Sequence, residues 1–198
     1  MYDRMSVAMK KRMEFLENRD AEDRKAGLPR MQRLRQIPAE TGQYISMLAA
    51  SAPKGKMIEI GTSAGYSTMW LSLAAMERKQ KIITFEILPE KITLAKETFE
   101  KAEIEDYVDL IEGDALLYLE NLDTIAFCFL DAEKDMYEPC WDIVASKIIP
   151  GGMLIADNAI SHKIDVQSMI DKTLADPRFD ALVVPIGKGE LFCRRIKS

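Results

Sequence analysis

At 198 residues and 47% apolar content, the chain is long enough to bury one full core and too short for two domains of ordinary size. A net charge of −5 and a pI near 5.1 argue against a general nucleic-acid binder, which needs a dominant basic face to release counterions. No run approaches the ~18 apolar residues of a membrane span, and Met1-Tyr2-Asp3-Arg4 lacks the apolar core of a signal peptide, so a cytoplasmic chain without a membrane partner is expected.

The first 50 residues form a charged, Met-rich segment in which Met1, Met5, Met9, Met13 and Leu16 recur at helical spacing. That stripe predicts a helix packed on the domain or on a second subunit, with a lid over a site as the lesser alternative. A homodimer is the expected assembly. Arg24, Lys25, Arg30, Arg33 and Arg35 follow, readable as a solvated helix face or as a track for a phosphate backbone.

From residue 51 the pattern becomes that of an α/β core, the whole chain being taken as a single domain. Strands are predicted near 56–61, 81–86, 107–112, 124–131 and 151–157, and helices near 66–78, 89–102, 114–121, 137–148 and 163–175. Such alternation specifies a doubly wound, Rossmann-like parallel sheet. Pro89 and Pro177 stand where proline begins or follows a helix. At the end, 181–186 and 191–196 are strand-like runs joined by Gly187-Lys188-Gly189-Glu190, too short for a crossover helix, and must pair antiparallel. Cys128, Cys140 and Cys193 are odd in number, lack metal-ligand spacing and read as buried reduced thiols.

The most informative stretch is Met57-Ile58-Glu59-Ile60-Gly61-Thr62-Ser63-Ala64-Gly65-Tyr66-Ser67-Thr68, an apolar strand entering a glycine turn and then a helix. Gly61 lets the chain reverse at the strand's carboxyl end, and Gly65 lets the helix start close to the sheet, which makes a nucleoside-binding crevice. Dinucleotide enzymes place a further glycine within the turn so that a pyrophosphate can approach. Here Thr62 and Ser63 occupy that space, which disfavours a dehydrogenase. Glu86 ends the next apolar run, 25 residues after Gly61, where a carboxylate can accept both ribose hydroxyls.

These residues, with Glu112-Gly113-Asp114-Ala115, the run Leu130 to Tyr137, Gly151-Gly152 to Asp157-Asn158, and Pro185 to Ile196, resemble the class I S-adenosylmethionine-dependent methyltransferases. Within that class the resemblance is to the cation-dependent O-methyltransferases that include the catechol and caffeoyl-CoA enzymes, and it covers roughly residues 35–196. It implies a seven-stranded, mostly parallel sheet with an antiparallel last strand. It also implies S-adenosylmethionine as cofactor: Glu86 on the ribose diol, Ile87 against adenine, Asp114 and the Ala115 N–H at the adenine edge, and Glu59 and Ser67 near the methionine end. Asp131 is implied both there and at a metal.

Asp131 closes one strand, and Asp157 with Asn158 closes the next. Both ends open onto the same crevice, so three oxygen donors converge in a set suited to Mg²⁺, Mn²⁺ or Ca²⁺ rather than zinc. Taken singly, Asp131 could be a helix cap and Asp157-Asn158 a turn. A phenolic hydroxyl with a pKa of about 10 is only about 0.1% ionised at neutral pH, and lowering that pKa by about three units contributes roughly 4 kcal/mol. The resemblance gives Lys134, which could otherwise be a solvated lysine, the task of proton acceptor or electrostatic partner in that step. His162 is a loop or helix-cap residue, or a contact at the site's rim. The chain departs from larger members in the short segment 159–164 and in Glu133, where plant enzymes carry aspartate.

An O-methyltransferase acting on a hydroxyl of a small, aromatic or catechol-like molecule is therefore expected. The alternatives are methylation of a hydroxyuridine in tRNA, supported by the basic cluster, and a noncatalytic module that merely binds an adenosyl ligand, which would have no use for Lys134.

Overall fold

A computed structural model of the chain describes residues 4–29 and 32–196. Met1 of the apolar stripe and Arg30 of the basic cluster lie outside them. Seven strands, β1 (Lys56–Ile60), β2 (Ile82–Glu86), β3 (Val108–Glu112), β4 (Ile125–Leu130), β5 (Ile148–Ala156), β6 (Phe179–Val184) and β7 (Glu190–Arg195), form one sheet. Its order is β3-β2-β1-β4-β5-β7-β6, and β7 runs antiparallel to both neighbours. The doubly wound, mostly parallel sheet with an antiparallel last strand is therefore as expected.

Every residue of β4 is buried, because a central parallel strand is covered on both faces. Alternate side chains serve two cores. Met57, Phe127, Phe129 and Ile155 point to one face, packing with residues of α1 (Val7–Lys25), α2 (Ala39–Ser51), α3 (Tyr66–Arg78) and α4 (Pro89–Ala102). Ile58, Cys128, Leu130 and Leu154 point to the other, with α5 (Ala115–Leu119), α6 (Tyr137–Lys147) and α7 (Lys163–Ala175). All three cysteines are buried and free. No helix among the described residues is long and apolar enough to cross a membrane.

The Met stripe packs on the chain's own core. Ser6 caps α1 by accepting the Met9 N–H at 3.0 Å, and Met5, Met9, Met13 and Leu16 are all buried. Arg12 on the same helix is buried against α4, where it donates to Thr98 and pairs with Glu97.

Two boundaries differ from expectation. β5 begins at Ile148, directly after α6, although Pro150-Gly151-Gly152 reads as a break. The strand bends there: the register against β4 shifts between Ile125 and Phe127, and a Cβ on Gly152 would lie 2.8 Å from the Ile148 side chain. The final hairpin uses 179–184 and 190–195 instead of 181–186 and 191–196, because Val184 pairs with Glu190. Glu190 is consequently a buried strand residue and not part of the connecting turn.

At the carboxyl edge the hydrogen-bond ladder continues past the strand ends. Gly61 and Thr62 donate to the Phe85 carbonyl, Gly113 to Glu86, Asp131 to Ile60 and Asp157 to Leu130, all at 2.8–3.1 Å. This places Glu86, Gly61, Asp131 and Asp157 in one row. Gly61 has φ +103°, and a Cβ there would lie 2.2 Å from the Asp131 carbonyl oxygen. Gly61→Ala should therefore lower stability by about 2 kcal/mol or more, measured by urea unfolding. A loss below about 0.5 kcal/mol would show that the turn does not need this close approach.

Candidate active site

Two connected chambers open along this row, sharing Arg35, Gly61, Ser63, Asp131 and Ala132 in their walls. The first, about 200 Å³, is lined by Glu86, Ile87, Asp114 and Ala115 among others. Glu86 is nearly buried at the end of β2, and its carboxylate accepts backbone N–H groups from Ser63 (2.7 Å), Ile87 (2.9 Å) and Leu88 (3.0 Å). Three such bonds fix both oxygens while leaving further lone pairs for a ligand. Ser63 meets Glu86 from a left-handed conformation, φ +49°. Asp114 caps α5, accepting the Leu116 N–H, and Ala115 is the first helical residue, whose N–H has no acceptor within the helix. Ile87 is 60% exposed at the mouth, an apolar face for a flat ring.

Gly65 sits at the N-cap of α3 with φ +84°, and a Cβ there would lie 2.7 Å from Phe99. Ser67, on the first turn of α3, lines the second chamber. Glu59 lines neither. It is fully buried beneath the turn, and its Oε2 accepts the hydroxyls of Thr68 and Thr84 at 2.6 Å each. Burial pushes its carboxyl up to about 7, against the pull of the Ser67, Thr68 and Thr84 hydroxyls.

The second chamber, about 250 Å³, contains Lys134. This lysine begins a 3-10 turn, Lys134–Met136, ahead of α6, and its side chain is only 11% exposed. Nζ reaches the Tyr137 hydroxyl at 2.6 Å, the Ala132 carbonyl at 3.1 Å and Asp131 Oδ1 at 3.4 Å. Burial lowers its pKa, and the charges of Asp131 and Asp157 oppose that shift. Tyr137 is buried and donates to the Asp157 carbonyl at 3.1 Å, so it ties the Lys134 turn to the end of β5.

Asn158 has φ +69°, and its Nδ2 donates to Asp131 Oδ1 at 3.2 Å while its Oδ1 accepts the Ser161 hydroxyl. Asp157 is fully buried: Oδ1 accepts the Asn158 N–H at 2.7 Å, and Oδ2 has no N–H or hydroxyl donor. Glu190 Oε2 is equally without one, and burial beside Asp157 favours its proton-bound form. Burial and Asp131 push Asp157 up to about 6, and burial with the Asp157 charge pushes Glu190 up to about 10. Asp131, Asp157 and Asn158 thus come together as expected. Among the described residues no group of three His, Cys, Asp or Glu side chains forms a ready-made metal cluster, but two carboxylates with an amide, one buried oxygen lacking a donor, fit in kind a hard cation that completes its shell with water or substrate.

A family model for O-methyltransferases matches residues 5–196. The chain belongs to the O-methyltransferase family. The caffeoyl-CoA O-methyltransferase of Medicago sativa is 30% identical, the match covering 80% of this chain and 74% of that one. Among solved structures, the O-methyltransferase from Bacillus cereus in complex with SAH is 22% identical with a TM-score of 0.78, covering 93% of this chain and 90% of that one. TomG from Streptomyces achromogenes, in complex with SAM, is 20% identical with a TM-score of 0.75, covering 98% and 92%. Both share the fold. The reaction class, S-adenosylmethionine-dependent O-methylation, comes with membership of the family.

Three residues of the enzyme's site were not singled out from the sequence. Tyr137 stands three residues after Lys134, a spacing that a 3-10 turn brings to one side. Arg35 was seen only as one of a basic cluster, yet it lines both chambers and pairs with Glu133 at 2.5 Å, so Glu133 anchors the N-terminal segment over the site. Glu190 carried no local signal. His162 is at once the N-cap residue of α7 and part of the wall of the Lys134 chamber.

The buried Glu59 has a stability signature. Its folded pKa lies above the ordinary carboxylate value, so the folded state holds the extra proton, and its contribution is complete below about pH 4.5 and lost as pH rises to about 7. In urea unfolding between pH 5 and 8, Glu59→Gln should flatten the decline seen in the parent. Parallel pH profiles would show that Glu59 is ionised when buried.

Proposed function

We propose that the enzyme transfers a methyl group from S-adenosylmethionine, bound in the Glu86 chamber, to a hydroxyl of a small aromatic or catechol-like acceptor in the Lys134 chamber. The observation that carries this reading is the position of Lys134: a largely buried amine in the second chamber, set against the shared wall at Asp131 and held by Asp131 and Tyr137. Glu86, Ile87, Asp114 and Ala115 supply the contacts an adenosine needs, the ribose hydroxyls donating to Glu86 and the ring resting on Ile87. Gly61, Gly65 and Ser67 leave room at the methionine end, where Asp131 can accept from the cofactor's ammonium. Glu59 supports this end from below, through Thr68 and Ser67.

An acceptor oxyanion meeting a sulfonium methyl gives two neutral products, and a chamber shielded from water favours that loss of charge. The costly step is forming the oxyanion. Lys134, with its pKa lowered by burial, can hold the hydroxyl's proton or balance the oxygen's charge at Nζ. Asp131, Asp157 and Asn158 would hold a divalent cation, Mg²⁺, Mn²⁺ or Ca²⁺, which when bound supplies Lewis-acid charge for the same oxygen. Tyr137 keeps the lysine and the Asp157 backbone in fixed relation.

Methylation of a hydroxyuridine in tRNA is a second reading, favoured by one observation: Arg24, Arg33 and Arg35 all line the acceptor chamber. Lys25 of the same cluster does not, which weakens the picture of a continuous phosphate track.

Lys134→Ala should lower kcat by about 10² to 10⁴ while the affinity for S-adenosylhomocysteine changes by less than about threefold. The loss should shrink for acceptors with more acidic hydroxyls; an equal loss across such a series would assign Lys134 to positioning. Glu86→Ala should do the reverse, weakening calorimetric binding of S-adenosylhomocysteine by about 1 to 3 kcal/mol. Unchanged affinity would remove Glu86 from the cofactor site.

Chelation should abolish turnover, and Mg²⁺ or Mn²⁺ should restore it, with binding of S-adenosylhomocysteine largely preserved throughout. Full activity in excess chelator would refute the cation and leave Lys134 alone at the acceptor oxygen.

A further inference from the structure

The charge of the acceptor chamber does not match that of the protein. The chain carries a net −5, yet the chamber is lined by Arg24, Arg33, Arg35, Lys134 and Lys188, with Asp131 as the one carboxylate among the described residues of its wall. S-adenosylmethionine, whose methionine end would reach this chamber at Ser67, deepens the surplus, since its carboxylate and ammonium cancel and its sulfonium remains.

Some of these cations are already balanced. Arg24 pairs with Asp20 at 2.8 Å, and Lys134 lies by Asp131. Others are not. Among the described residues, the Arg33 guanidinium bonds only the Leu28 carbonyl, at 2.5 Å, and the Lys188 ammonium only the carbonyls of Arg35 and Gln36, at 3.4 Å each. Arg35 gives one nitrogen to Glu133, while its buried Nε has no acceptor.

The fold holds the backbone of Arg35 and of Lys188 in place. Arg35 adopts a left-handed backbone, φ +55°, with its N–H bound to Asp20 Oδ1 at 2.9 Å; such a conformation in a non-glycine residue persists only where the surroundings impose it. Lys188 stands in the β6–β7 connection, whose carbonyl accepts the N–H groups of Ile160 and Ser161. Its neighbour Gly189 is packed so closely that a Cβ would lie 2.3 Å from Ile160.

We propose that the methyl acceptor carries an anionic group, a carboxylate or phosphate, and that Arg33, Arg35 and Lys188 form the subsite that binds it. The proposal rests on the acceptor occupying the Lys134 chamber. Guanidinium forks match the planar or tetrahedral oxygens of such groups, and fixed cations lose little order on binding. A chamber of about 250 Å³ suits one ring with an acidic substituent. The occupant is a hydroxylated aromatic acid or phosphate ester and not a polymer, because the cations line a chamber of that size.

The test compares kcat/KM for 3,4-dihydroxybenzoate and catechol, with S-adenosylhomocysteine affinity measured alongside. The parent enzyme should favour the acid. Arg33→Gln/Lys188→Gln should reduce the acid-to-neutral ratio by about 10-fold or more, Arg33→Lys should retain part of it, and S-adenosylhomocysteine affinity should stay within about twofold. An unchanged ratio with weakened S-adenosylhomocysteine binding would overturn the proposal, assigning the cations to the cofactor's carboxylate. Should neither acceptor be methylated, calorimetry of the S-adenosylhomocysteine complex with dihydroxybenzoate and with inorganic pyrophosphate decides separately. Binding of either anion that the double variant loses supports the subsite while the aromatic reading of the acceptor fails. Absence of both, or tight binding of a tRNA transcript alone, overturns the subsite.

Discussion

The site depends on the approach of two strand ends. Gly61, leaving β1, lies against the backbone of Asp131, leaving β4, and any side chain at residue 61 would occupy the Asp131 carbonyl. Because the Asp131 N–H is simultaneously bound to the Ile60 carbonyl at 3.0 Å, the turn and the acid cannot move independently. Asp131 thereby becomes the wall between a chamber with the features of a nucleoside pocket and one with a buried lysine. The same device repeats outward: Glu86 is fixed by the turn's own Ser63 N–H, and Asp157 by its bond to Leu130. A parallel sheet supplies such a row without further design, since all its strand ends point one way.

Electrostatics divides the site by depth. Beneath and behind it lie carboxyls whose burial favours the proton-bound form, Glu59 under the turn and the Asp157–Glu190 pair at the inner end. Around the Lys134 chamber lie cations. The arrangement keeps uncompensated negative charge away from the place where an acceptor oxyanion would form, and sets positive charge where it would be stabilised. The N-terminal segment takes part directly: α1 is core packing, but the stretch that follows it brings Arg33 and Arg35 over the site, clasped by Glu133 and Lys188. Neither a simple lid nor a mere packing helix describes it.

Much of this was legible from local pattern. Runs such as Ile125 to Leu130 announce buried strands, Gly61 and Gly65 announce the turn, and the acids after apolar runs announce strand ends. The features that escaped are those made by residues far apart in sequence. Glu190 looked like part of a turn because Gly187 and Gly189 precede it, and only its pairing with Val184 and its meeting with Asp157 show it to be interior. Glu59 reads in the sequence as a residue near the methionine end, and only the alternation along β1 shows that its side chain lies beneath the floor, toward Thr84. The start of β5 was hidden by Pro150-Gly151-Gly152, whose bend is explained only by the shifted register of β4 beside it. That Arg24, Arg33 and Arg35 line one chamber is likewise a tertiary fact, invisible to a count of charges.

The central claim is that methyl donor and acceptor meet at the partition formed by Asp131, beside Lys134. A crystal structure of the enzyme with S-adenosylhomocysteine and 3,4-dihydroxybenzoate tests it most directly. The account places adenosine between Glu86 and Asp114, the sulfur at the partition, and one acceptor hydroxyl beside Lys134 Nζ, with space for a methyl carbon about 3 to 3.5 Å from the acceptor oxygen and in line with the sulfur. Adenosine in the arginine-lined chamber, or an acceptor whose hydroxyls point away from Lys134, would contradict it.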